Sequence, residues 1–320
     1  MTLTALAPGK TNLCLYLGAT RAADGLHELV SVIEPLSLAD ELTLEPLPGA
    51  ALVAAAPGAG EAGCAAGEDE VVCAGVDGAN LAGEALAAYR AASGWEGPPL
   101  RLTIAKRVPV AAGMGGGSGD AAAALRLVAH AAGRSDDPLI ARLAPRLGAD
   151  VPSQVAPGPV LVGGAGEDVR PLRPMAPHGV LVLPSPHALS TPEVFREADR
   201  LGLPRAADEL ATRRAEVEAA LARGELPKAV NDLEPAARSL CPWIDGALAA
   251  AREAGADHAL VSGSGPTVVG IFRGPEGAAL AEAAARALAA RFPGATGARP
   301  VDAAFAAIRG VWDDEATDGP

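Results

Sequence analysis

The 320-residue sequence is poor in aromatics (3%), has only 4 cysteines, and sets 26 Lys and Arg against 39 Asp and Glu, a formal net charge of −13. Each shortage excludes something. With so few aromatic rings, the core must be built mainly from Ala, Leu and Val. A chain this acidic lacks the basic footprint that non-specific nucleic-acid or anionic-membrane binding needs. If the ligand is an anion, positive charge must be local and backbone N–H groups must help. The cysteines, Cys14, Cys64, Cys73 and Cys241, form no CxxC pair, which argues against a disulfide scaffold or a zinc site. They are expected to be small buried hydrophobes in a reducing cytoplasm.

Long apolar runs are missing too. A membrane span needs about 18 consecutive apolar residues, whereas the longest uncharged stretch, Met175 to Pro192, holds four prolines and two histidines. No positive charge precedes an apolar run at the start, and Lys10 falls where such a run would lie. A soluble, cytoplasmic protein is expected, without nucleic-acid or membrane partners. What is present is 49% hydrophobic and 20% charged residues, which rules out wholesale disorder. The length suits about two domains at roughly 150 residues each.

Alternating Leu13, Leu15 and Leu17 predict a half-buried strand over 12–17, after another over 2–7. Asp24-Gly25 marks a turn, followed by strands over 29–36 and 41–45. Residues 47–79, rich in Gly, Ala and Pro, carry no clear element. A helix over 81–92 stops at Gly94, and a strand covers 100–106. A helix starting at Ser118 runs through 121–132 to Gly133, and another begins near Pro138 with Ser135, Asp136 or Asp137 as cap. The Gly/Pro-rich stretch 157–174 is the expected domain boundary. Beyond it come a strand over 179–183, helices near 206–223, 236–254 and 277–291, and strands flanking Ser262-Gly263-Ser264-Gly265. A last strand or helix lies near 301–309, before a short acidic tail, 313–320, expected to be frayed.

Several familiar motifs fail on inspection. Gly9-Lys10-Thr11 resembles the end of a P-loop, but the first glycine of that pattern falls on Thr4. Around Gly113–Asp120, GxGxxG would need glycine at Ser118 or at Asp120, and GxSxG would also need it at Asp120. His27-Glu28 cannot start a zincin motif, because Ser31 stands where the second histidine belongs. What remains is a strand, a loop with Gly113, Gly115, Gly116 and Gly117, and a helix. Glycines let successive N–H groups converge, and the helix N-terminus adds about half a positive charge. That arrangement holds phosphate without basic side chains, as an acidic protein would require.

Three separated segments resemble the motifs of the GHMP small-molecule kinases: Pro8-Gly9-Lys10-Thr11-Asn12, Pro109–Ala122, and Val261-Ser262-Gly263-Ser264-Gly265-Pro266. Arg21–Leu29, Gly148–Pro152 and Asn231–Pro235 narrow the resemblance to the branch that phosphorylates 4-diphosphocytidyl-methylerythritol, in the non-mevalonate isoprenoid route. Together these segments span nearly the whole chain, from about residue 4 to 310.

The resemblance implies an α+β, two-domain GHMP-kinase fold. Residues 1–170 would form a ribosomal-protein-S5-like ATP-binding domain, 171–311 a ferredoxin-like domain contributing to substrate binding, and 312–320 the tail. The site would lie in the cleft between the two domains. The partners would be ATP, with Mg2+ as cofactor, and a cytidyl diphospho-sugar-alcohol; the state would be a monomer or weak homodimer.

The same resemblance makes Asp150 the general base and Lys10 the cation beside it. Taken alone, Asp150 reads as a helix-end residue and Lys10 as a surface cation. Asn12 would hydrogen-bond near the reacting hydroxyl, or simply pair with neighbouring backbone. Pro109, Gly113, Gly115, Gly116, Gly117 and Ser118 would hold the triphosphate, with Ser118 either a metal contact or a helix N-cap. Asn80, Leu81 and Lys106 match positions lining the adenine pocket, though Lys106 reads equally as a solvated strand end. His27 would recognise cytosine and Phe195 stack on it, a role that for Phe195 rests on the resemblance alone.

Three departures bear on the substrate. Leu26 stands where an aromatic usually precedes the histidine. Gly119 replaces a second serine, and Ser153-Gln154 replaces bulky aromatics after Asp150-Val151-Pro152. Two other activities stay open: another GHMP kinase, of homoserine or mevalonate type, and a catalytically silent nucleotide-binding protein.

Overall fold

The computed structural model describes residues 1–47, 69–75, 80–135 and 137–312; Cys64, the Asp136 cap and the tail from Asp313 lie outside the described residues. Two long strands, β1 (Thr2–Thr20) and β2 (His27–Pro46), pair antiparallel along nearly their whole length. Each was expected as two shorter strands. Pro8, which cannot donate to a ladder, is absorbed by a register shift between Pro8 and Lys10, so the strand bends and continues.

The chain then forms β3 (Glu70–Cys73), α1 (Leu81–Ser93), β4 (Leu100–Ala105), α2 (Gly116–Ala131), α3 (Pro138–Leu147) and the short α4 (Val151–Val155). A hairpin, β5 (Val160–Gly163) and β6 (Asp168–Pro171), occupies the expected boundary region and pairs through β5 with β2. Next come β7 (His178–Leu183), α5 (Thr191–Arg200), α6 (Ala207–Ala222), β8 (Val230–Asn231), α7 (Glu234–Leu240) and α8 (Trp243–Glu253). The chain closes with β9 (His258–Val261), β10 (Val268–Arg273), α9 (Gly277–Leu288), β11 (Thr296–Ala298) and β12 (Arg309–Val311). The single helix expected over 236–254 is broken at Cys241-Pro242 into α7 and α8.

The first sheet runs β12-β1-β2-β4-β3, with the β5–β6 hairpin on β2 and β8 beside β1. The second runs β11-β7-β10-β9. Helices α1, α2 and α3 cover one face of the first sheet, packing on Leu3, Ala5, Leu42, Leu44 and Leu102. Alanines from Ala121 to Ala124 let α2 lie close to β1, where a β-carbon at Gly119 would sit 3.1 Å from the Pro8 carbonyl oxygen. The second sheet puts Val180, Val182, Val269 and Ile271 into a core shared with Leu13, Cys14 and Tyr16 of β1. Its other face packs Leu181, Leu183 and Val268 against α5, α7, α8 and α9.

The middle of β1 is therefore buried on both faces, with Leu15 and Leu17 in the core of the second sheet's helices and Cys14 and Tyr16 between the sheets. This corrects the half-buried expectation: alternation of leucine with Asn12, Cys14 and Tyr16 looked like one wet face, and the second sheet covers it. No helix among the described residues is long and apolar enough to cross a membrane.

Candidate active site

The phosphate-type loop is held open by left-handed backbone. Gly113 has φ +73° and Gly115 φ +65°, conformations that cost an L side chain about 1–2 kcal/mol. Helix α2 starts at Gly116, two residues earlier than expected, and its N-cap is Gly115 with no side chain capping the first turn. Ser118 is thus within the helix and is not its cap. The uncapped amides of that turn face the loop, the arrangement that favours an anion. Pro109 is half-buried at the entry to the loop. Leu81, the first residue of α1, borders the same turn, its Cδ1 3.8 Å from where a Gly117 β-carbon would be. Asn80 caps α1, its Oδ1 accepting from the Ala82 N–H at 2.9 Å.

The second glycine motif is pressed against the first. A β-carbon on Gly113 would lie 2.1 Å from the Ser262 carbonyl oxygen, and Ser262 Oγ donates to the Gly113 carbonyl at 3.2 Å. Asn231 holds this motif from behind, its Nδ2 donating to the carbonyls of Val261 (2.8 Å) and Gly263 (2.7 Å). Glu234 accepts from the Val261 N–H at 3.2 Å, and burial raises its carboxyl above the ordinary carboxylate range.

Lys10 arrives between the two loops from β1. Its backbone N–H donates to the Met114 carbonyl (2.8 Å), and its buried Nζ donates to Asn12 Oδ1 at 3.0 Å. Asp150 Oδ2 lies 3.5 Å from that Nζ, with 40% of its side chain exposed. Asn12 is fixed in turn: its Nδ2 donates to Ser31 Oγ (2.7 Å), which donates to the Cys14 carbonyl (2.7 Å). Lys10, Asn12 and Asp150, distant in sequence, are thus brought together with both glycine loops. Lys10 is buried, so the surface-cation alternative fails.

Lys106 is no solvated strand end either. Its Nζ donates to Asp40 Oδ2 (2.5 Å) and to Asp120 Oδ2 (2.8 Å), both carboxylates being buried. Burial would lower the ammonium, but the two carboxylates outweigh it and raise its pKa. Asp120 is pushed up to about 7, chiefly by burial and partly offset by Lys106. Asp40 also accepts the N–H groups of Arg107 (2.5 Å) and Val108 (2.8 Å), which sets the path into the glycine loop.

A second cluster stands at the far end of α5. The rings of His27 and Phe195 are 5.3 Å apart between centroids and tilted 46°. His27 Nε2 meets Asp199 Oδ1 at 2.7 Å, and Leu26 beside it is 53% exposed. The near end of α5 is tied to the glycine motif, Thr191 Oγ1 meeting Ser264 Oγ at 2.9 Å. Thr191 and Asp199 are eight positions apart along the helix, about 12 Å.

Asp40, Asp120, Thr191, Asp199 and Asn231 escaped the sequence reading as site residues. Asp120 and Asn231 lay in motif segments without a role of their own. Asp40, Thr191 and Asp199 have partners far along the chain, and no local pattern announces them.

The comparisons with known proteins give the family and the fold. The GHMP kinases N terminal domain model matches residues 80–160, and the GHMP kinases C terminal model residues 208–294. A 4-diphosphocytidyl-2-C-methyl-D-erythritol kinase of Streptomyces coelicolor is 40% identical over 276 residues, covering 83% of this chain and 86% of its own length. The chain belongs to that kinase family. A relative of the same name from Anaeromyxobacter sp. is 38% identical, covering 88% of this chain and 86% of its own. Among solved structures, a 4-(cytidine 5'-diphospho)-2C-methyl-D-erythritol kinase superposes with a TM-score of 0.69 at 33% identity, over 92% of this chain and 98% of that one. A homoserine kinase from Cytophaga hutchinsonii reaches a TM-score of 0.66 at 17% identity, over 96% and 97%, and shares the fold. The α+β GHMP-kinase architecture is therefore established for this chain.

Proposed function

We propose that the chain transfers the γ-phosphoryl group of ATP to the 2-hydroxyl of 4-diphosphocytidyl-2-C-methyl-D-erythritol, as an ATP-dependent phosphotransferase of isoprenoid biosynthesis. The observation that carries this is the convergence of Lys10, Asn12 and Asp150 between two glycine loops in a chain whose relatives bear that name. Phosphoryl transfer asks a protein for positioning, charge stabilisation and a proton acceptor. Asp150, half exposed beside the loop, is the group that takes the hydroxyl proton. Lys10, 3.5 Å away, stands against that carboxylate and faces the growing negative charge. Asn12 orients the Lys10 ammonium through its 3.0 Å hydrogen bond and lies beside the reacting hydroxyl.

Gly113, Gly115, Gly116 and Gly117 present backbone N–H groups to the triphosphate at the uncapped start of α2, with Pro109 shaping the entry. Asn80 and Leu81 border the adenine. Lys106, its ammonium held by Asp40 and Asp120, contributes its methylene stem there. At the other end of α5, His27 reads the cytosine edge and Phe195 stacks on the ring, with Leu26 replacing an aromatic on the opposite side.

Among the described residues no group of three His, Cys, Asp or Glu side chains could hold a metal by itself. That suits Mg2+, which is usually bound by substrate phosphates with few protein oxygens. The Ser118 hydroxyl, released from capping, is the protein oxygen that would join them; the ion neutralises phosphate charge when bound. We assign 1–170 to the nucleotide-binding domain and 171–311 to the substrate-binding domain, and take the protein to act in the cytoplasm as a monomer or weak homodimer.

The test is ADP release with ATP and Mg2+ on the cytidyl substrate, homoserine and mevalonate, with Asp150→Asn as blank. Turnover on the cytidyl compound alone is expected. Turnover only on homoserine or mevalonate would move the substrate, and nucleotide binding without turnover on any of the three would make the protein a silent binder.

A further inference from the structure

Gln154 is an unusual residue for its surroundings. It is 2% exposed, and its Nε2 has no hydrogen-bond partner among the described residues. A buried donor left in that state costs about 1–3 kcal/mol, so such groups are rare and call for an acceptor. It sits against the phosphate loop. The nearest side-chain atoms to the space a Gly115 β-carbon would fill are Lys10 Cγ (2.9 Å), Lys10 Cε (3.1 Å) and Gln154 Nε2 (3.5 Å). Asp150 is the N-cap of α4 and Gln154 lies within that helix, four residues on. Asp150 Oδ2 stands 3.5 Å from Lys10 Nζ, and Gln154 Nε2 approaches the same loop position as the Lys10 stem.

We infer that Gln154 is a further substrate-contacting residue, whose side-chain amide donates a hydrogen bond to an oxygen of the γ-phosphoryl group being transferred. The inference rests on the phosphotransferase reading above. Two chemical arguments choose this ligand. A phosphoryl oxygen carries no proton, so it must face the nitrogen of the carboxamide and not its oxygen. The attacking hydroxyl must surrender its proton to Asp150 and attack with a lone pair, which a donor placed on that oxygen would oppose. The γ-phosphoryl oxygens, whose charge Lys10 already faces, are anionic acceptors, and each donor aimed at them stabilises the charge that develops in transfer. Gln154, which in sequence read only as part of a departure from bulky aromatics, thereby becomes a polar addition to the phosphate site, while Ser153 Oγ donates to the Asp150 carbonyl at 2.8 Å.

The experiment measures binding of ADP and of a non-hydrolysable β,γ-imido ATP analogue, each with Mg2+, by calorimetry. The proteins are the wild type, Gln154→Met (same length, no donor) and Gln154→Glu (same shape, a negative charge instead of the donor). The expected result is that Met weakens the analogue by about 10-fold or more while ADP changes by less than about 2-fold. Glu widens the gap between the two nucleotides further. Equal weakening of both nucleotides in both variants, or no weakening of the analogue, overturns the inference, since a merely structural role would not separate them. A wild type that binds neither nucleotide overturns the phosphotransferase reading itself. If Gln154→Met fails to fold, as judged by its thermal midpoint, the ratio in Gln154→Glu decides.

Discussion

Replacing Gly113 by alanine tests whether the two glycine motifs must touch. The β-carbon would fall 2.1 Å from the Ser262 carbonyl oxygen and 2.8 Å from the Gly265 nitrogen. Real β-carbons stay beyond about 3 Å, so the loops must part by about 1 Å. A shift of that size in positioning groups costs about 100-fold in rate. The backbone adds its own term: at φ +73° alanine loses about 1–2 kcal/mol of stability.

Gly133 separates the two effects. It has φ +69°, and a β-carbon there meets nothing within 4 Å. Gly133→Ala should therefore lose the same 1–2 kcal/mol and keep its activity. Gly113→Ala should lose that amount and about 100-fold in kcat besides. Urea unfolding gives the first quantity and coupled ADP release the second. Equal activity in the two variants would refute the claim that contact between the motifs builds the site.

Three further outcomes are expected. Asp150→Asn should cut kcat by about 100- to 10,000-fold, the usual worth of a general base, with ATP affinity nearly unchanged by calorimetry; near-normal turnover removes it from that role. Phe195→Ala should raise KM for the cytidyl substrate about 10-fold, the worth of one stacked base, and leave KM for ATP alone. The buried pair of His178 Nε2 and Glu34 Oε2, 2.6 Å apart, ties the second sheet to β2. Burial opposes the charged imidazole, but the Glu34 hydrogen bond and charge outweigh it, so the folded His178 pKa is raised. A raised folded pKa means stability fully present below the ordinary value of about 6.5 and lost as pH rises through the raised one. Urea midpoints should thus fall with pH above about 6.5 in the wild type, and the fall should be shallower in His178→Gln, which keeps only the part due to the raised Asp120 carboxyl.

Local signals carried much of the fold. The α1 helix was legible with its stop at Gly94, β4 from alternating Leu100, Leu102 and Ile104, and the phosphate loop from its glycines. The continuity of β1 and β2 was not, because Pro8 and Gly9 look like breakers and only the partner strand shows that a bulge carries the chain on. The β5–β6 hairpin hid in a Gly/Pro-rich stretch read as a boundary. Helix α5 was missed although Ser190, Thr191 and Pro192 form a serviceable start. In the site, Lys10, Asn12 and Asp150 were marked by resemblance, and their mutual distances came from the fold. Lys106 could not be read correctly, since its partner Asp40 is 66 positions away. Asn231 shows the same limit: its work is to hold two carbonyls that lie about 30 residues further on.

The seating of Ser262 against Gly113 and Thr11 has a consequence for how the molecule comes into being. Ser262 Oγ reaches the Thr11 hydroxyl across 251 positions of chain, at 3.3 Å. Contacts of such separation form late, because loop closure precedes their reward. While the chain is being synthesised, the first glycine loop emerges long before the wall that completes it, and an early intermediate has no finished cradle for nucleotide. On the proposed function, ATP stabilises completed molecules and not partial ones, by an amount set by its concentration relative to Kd. Cellular nucleotide thus acts as an inspector of maturation, shifting the balance away from half-built chains without any contact to them.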